Sequence, residues 1–116
     1  MKVDDIMTRD VRSCSPDESL SSAAQIMWEM DCGAVPVVDA ERRVIGIITD
    51  RDICMAAWSQ NQSPQQLSVQ QAMSKNVVTC KPDDTVETVE GAMRSARGMV
   101  HGSDRLGCVL LSASDV

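Results

Sequence analysis

Thr49-x-x-Asp52 stands where an apolar run, Val44 to Ile48, gives way to a helix-forming one. The first N–H groups of a helix lack intrahelical partners, and the helix dipole there favours an anion such as phosphate. Thr49 can add a hydroxyl donor, and Arg51 a charge-assisted bond to phosphate. Asp52 carries two acceptor oxygens that suit the two hydroxyls of a ribose. The apolar residues Val35-Pro36 and Ile47-Ile48 offer flat walls for a base, and backbone groups near Val11 and Ser13 can read its edge. Plainer readings stand beside these. Thr49 and Asp52 also fit a helix cap, Arg51 a solvated surface charge and Pro36 an edge strand.

Other chemistry finds little footing. The five cysteines (Cys14, Cys32, Cys54, Cys80, Cys108) form no C-x-x-C pair, and the single histidine is His101. Such a set reads as reduced thiols in the cytosol, and it disfavours both a disulfide framework and tetrahedral zinc. Cys14 and Cys80 suit small buried side chains. With one histidine, no Ser-His-Asp or Cys-His arrangement is plausible, and neither glycine-rich phosphate motif occurs. Asp83-Asp84 opens a helix, where capping explains a carboxylate pair. The reading is therefore not an enzyme.

The net charge of −6 over 116 residues leaves no basic stripe for a nucleic-acid polymer. No apolar run approaches the roughly 20 residues that span a bilayer. Met1-Lys2-Val3-Asp4-Asp5 lacks the apolar stretch of a secretory signal, so a cytoplasmic location is expected. With two Trp and no Phe or Tyr, the core must rest on Val, Ile, Leu, Ala and eight Met. Methionine fills gaps between helices, and it also suits an adaptable interface.

The elements that position these residues emerge from an internal repeat. Val3–Met27 aligns with Val69–Met93 at a shift of 66, with 7 of 25 positions identical. These are Val3, Met7, Val11, Cys14, Pro16, Asp17 and Met27 with Val69, Met73, Val77, Cys80, Pro82, Asp83 and Met93. Each copy opens with a β-prone stretch (Val11 to Cys14, Val77 to Cys80) stopped by a proline. Acidic and hydroxyl residues then begin a helix. Leu20, Ala23, Ala24, Met27 and Met30 give that helix one apolar face, and Gly33 is placed to close it. Strands follow at Ala34–Val38 and Val44–Thr49 around a polar turn, Asp39 to Arg43, and a helix at Asp50–Trp58. Ser59 to Ser68 reads as a polar connector.

The segments Ile6-Met7-Thr8, Val11 to Asp17, Ala34-Val35-Pro36-Val37-Val38-Asp39 and Gly46-Ile47-Ile48-Thr49-Asp50-Arg51-Asp52-Ile53 resemble, in order, the CBS domain family. The resemblance implies an α/β (α+β) fold: two tandem β-α-β-β-α repeats about a pseudo-twofold axis, known as a Bateman module. The repeats would occupy 1–58 and 69–116, with 59–68 as linker. It further implies a regulatory module that binds AMP, ADP, ATP, NAD or S-adenosylmethionine in the cleft between repeats, with no required cofactor. A homodimer and a regulated partner protein are also implied. Ligand contacts fall on Val11, Ser13, Val35, Pro36, Ile48, Thr49, Arg51 and Asp52. A second site would use Val77, Thr79, Ser112 and Asp115. The alternative is a dimerising interaction module without a small ligand.

The second copy departs from the first after Arg97. Gly98 to Arg105 has two glycines where the first copy has its Val-Pro-Val-Val strand, so no such strand is expected there. Apolar character returns at Cys108 to Leu111. Ser112-x-x-Asp115 recovers the Thr49-x-x-Asp52 spacing at a shift of 63, but Val109 replaces Gly46. No helix matching Asp50–Trp58 follows. The second site is accordingly in doubt.

Overall fold

In a computed structural model, residues 2, 12–75, 78–79, 83–88, 99–101 and 110–112 are described. The chain divides into two compact units, Arg12–Lys75 and Met1–Val11 with Asn76–Val116. Each unit therefore combines the body of one repeat with the leading segment of the other.

In the Arg12–Lys75 unit, helix α1 (Leu20–Met30) begins at Ser19, whose side chain accepts from the N–H of Ser22. Leu20, Ala23, Ile26 and Met27 recur every three or four residues and are buried, as one amphipathic face requires. Met30, expected on that face, is exposed, and Ile26 takes a core place instead. The helix closes on Asp31, not Gly33: Asp31 takes the left-handed conformation at φ 52° and its N–H bonds Met27. Aspartate tolerates that region better than most residues, so glycine is not needed there.

Strands β1 (Ala34–Val38) and β2 (Val44–Thr49) form an antiparallel hairpin that places Ala34 opposite Thr49 and Val35 opposite Ile48. The turn between them is held by the Asp39 carboxylate, which accepts from the N–H groups of Glu41 and Arg43 at 2.9 Å each. On the outer side of β1, Cys14 bridges Val37 in parallel fashion. Among the described residues the expected Val11–Cys14 strand is this one bridge. Pro36 supplies a reason, since the next parallel bond toward residue 12 would need the N–H that proline lacks.

Helix α2 (Asp50–Gln60) starts directly from β2. After a 3₁₀ turn (Pro64–Gln66), a short helix α3 (Val69–Ala72) leads to Ser74, which exchanges two backbone bonds with Ile47. The expected polar connector is thus partly structural, because Leu67 within it is only 2% exposed and joins the core. Gly46 makes the docking of this leader possible: a Cβ there would lie 2.8 Å from both the Met73 sulfur and the Ser74 carbonyl oxygen.

In the other unit, strand β3 (Val78–Thr79) runs parallel to β4 (Met99–His101), which pairs antiparallel with β5 (Leu110–Ser112). A strand therefore forms in the glycine-flanked segment where none was expected. Backbone pairing needs no apolar run when a partner strand lies on each side.

Candidate functional site

The corner between β2 and α2 is set by reciprocal bonds. Thr49 Oγ1 accepts from the N–H of Asp52 at 3.1 Å, and Asp52 Oδ2 accepts from the N–H of Thr49 at 3.0 Å. This is a capping box, and it fixes the Asp52 carboxylate at the helix entrance. The two neighbouring N–H groups are also bonded. That of Asp50 donates to the Gly33 carbonyl at 3.0 Å, and that of Arg51 donates to Asp50 Oδ1 at 2.8 Å.

The expected site residues are only partly gathered here. Thr49 and Asp52 are half-buried and Arg51 is exposed. Val35 (1% exposed) and Ile48 (0%) belong to the hydrophobic core with Leu20, Met27 and Val37. They hold the strands in place rather than present an open wall. Pro36 and Ile47, opposite each other in the hairpin, are buried outside that cluster. Ser13 is half-buried and, in the register set by Cys14 and Val37, stands beside Pro36. Val11, Val77 and Asp115 lie outside the described residues, while Thr79 and Ser112 are placed in β3 and β5 by their backbones.

Asp52 also lines an open groove of about 280 Å³ along α2. Among the described residues its other polar contributors are Ser59, Gln60 and Gln71, over an apolar floor that includes Leu67. Sequence reasoning placed Ser59 and Gln60 in a connector and overlooked Gln71. Their one available signal was spacing: Asp52, Ala56, Ser59 and Gln60 recur along one face of α2.

Burial, with the nearby Glu18 carboxylate, pushes the Cys14 thiol up to about 12. Asp39 lies below the usual carboxylate range, chiefly through the backbone N–H of Arg43. Glu29 is likewise lowered, first by its hydrogen bond from Arg12 at 2.7 Å. Among the described residues, no group of His, Cys, Asp and Glu could hold a metal ion, and no helix is long and apolar enough to cross a membrane.

The strand order, the repeated leader and the Thr49–Asp52 corner define a tandem-repeat α+β module. The family model of the CBS domain matches residues 3–59 and 69–110, and the chain belongs to that family. Its fold is similar to the CBS-domain containing protein ATU1752 from Agrobacterium tumefaciens, at 36% identity and a TM-score of 0.85, covering 98% of this chain and 94% of that one. It is also similar to the CBS domain pair of protein MJ0100, solved with 5′-methylthioadenosine and S-adenosylmethionine. There the identity is 26% and the TM-score 0.83, over 99% of this chain and 95% of that one.

Among curated proteins, the chain is 35% identical over 92 residues to the CBS domain-containing protein YhcV of Bacillus subtilis, 78% of this chain and 64% of that one. It is 30% identical over 93 residues to a homoserine O-acetyltransferase of Methanohalobium evestigatum, a match spanning 80% of this chain. The chain spans just 18% of that enzyme's length, and 64% of YhcV.

Proposed function

We propose that this chain is a regulatory, ligand-sensing module that binds an adenosyl ligand at the Thr49–Asp52 corner of the Arg12–Lys75 unit. The observation that carries this reading is the oriented carboxylate. Asp52 Oδ2 is held by the Thr49 N–H, which leaves Oδ1 to accept from the hydroxyls of a ribose. Ser13 and Pro36 stand at the neighbouring sheet edge. The adenosyl compounds bound to the CBS domain pair of MJ0100 support the choice of ligand class. Such a module acts without catalysis, in the reducing cytoplasm, on a partner protein. AMP, ADP, ATP and NAD remain members of the ligand class beside S-adenosylmethionine.

The test is calorimetric titration of the protein and of Asp52→Ala with these compounds. Loss of a charged acceptor should weaken binding by about 10- to 100-fold. Thr49→Ala, which removes the cap but keeps the carboxylate, separates a stability effect from a contact. Unchanged affinity in Asp52→Ala would remove Asp52 from the site.

One observation favours a second reading, a dimerising interaction module with no small ligand. Trp28 on α1 and Trp58 on α2 are 87% and 77% exposed, with Met30 and Met55 also exposed on the same helices. Apolar groups this exposed mark contact surfaces when they cluster. A homodimer stable at low concentration, unaffected by every adenosyl compound, would establish this reading over the first.

A further inference from the structure

We draw no further inference here: the strongest candidate, the exposed Trp28 and Trp58 face of helices α1 and α2, already carries the second reading above, and nothing in the structure shows what covers it.

Discussion

The two units run through the same strand order with different amounts of chain. In the Arg12–Lys75 unit, Cys14 lies parallel to a five-residue β1, which pairs with a six-residue β2. In the other, a two-residue β3 lies parallel to a three-residue β4, which pairs with a three-residue β5. Their registers can be superposed: Ala34–Thr49, Val35–Ile48 and Pro36–Ile47 correspond to Met99–Ser112, Val100–Leu111 and His101–Leu110. Ser112 thus falls at the position of Thr49 by hydrogen-bond register alone, independently of the motif. The isolated bridges obey the same correspondence, for Ser19–Ser68 and Thr85–Lys2 differ by the repeat shift of 66. The strand pairing persists in the second unit despite the loss of the apolar run seen in the first, because backbone pairing carries the pattern.

The comparison is most exposed at Gly46, whose counterpart is Val109, the residue before Leu110. Gly46→Val should cost about 3–4 kcal/mol, since the clash falls on the Ser74 backbone and breaks its paired bonds to Ile47. Urea unfolding reads this directly. A loss below about 1 kcal/mol would mean that close approach does not govern how a leader docks, and the contrast between Gly46 and Val109 would lose its meaning.

A smaller contrast concerns Leu20, the first core residue of α1, and Val86, its counterpart at the repeat shift of 66, which are both buried. Leu20→Ala should cost about 3 kcal/mol and Val86→Ala about 2, from the methyl groups removed and the cavities left. Equal losses would indicate that the second unit packs as tightly as the first. Reversal of the order would place the principal core there.

Cys14 sharpens the comparison along the pH axis. Its folded thiol ionises near 12 against an ordinary value of 9.0. Folding therefore favours the protonated form, and the contribution is fully present below pH 9. It declines as pH rises from 9 toward 12, by at most about 1.4 kcal/mol per unit. Urea midpoints should fall over that window, and Cys14→Ala should flatten the decline. The same thiol should react far more slowly with iodoacetamide than exposed Cys32 and Cys54. An alkaline limb unchanged by the substitution would exclude Cys14 as its cause.

How much of this was legible in the sequence varies by element. The α1 face, the hairpin and the α2 start follow from residue periodicity and from punctuation by Pro16, Asp39 and Thr49. Burial of Leu67 was hidden because its neighbours are polar, and a single apolar residue in a glutamine-rich stretch carries no period. The Asp31 cap was hidden because Gly33 is the commoner choice for a left-handed position. At the β2–α2 corner, the spacing of Thr49 and Asp52 matches the capping box that forms there. Spacing could not tell a free carboxylate from one already bonded to its own helix, and that depends on side-chain geometry. Val35 and Ile48 were rightly read as apolar strand residues, but strand periodicity alone does not say which face meets the core.

Thr49 gives the last and smallest contrast. Its hydroxyl accepts from the Asp52 N–H, so Thr49→Ala leaves that N–H without its cap and should cost about 1 kcal/mol. Thr49→Ser keeps the oxygen and should restore most of it. Ser112 holds the corresponding backbone position at the end of β5. If Ser112→Ala costs as much as Thr49→Ala, the hydroxyls at both strand ends hold equivalent bonds, and the Ser112-x-x-Asp115 spacing is functional at least as architecture. If it costs under about 0.3 kcal/mol, the shared register stops at the strand, and the corner that orients a carboxylate belongs to the first repeat alone.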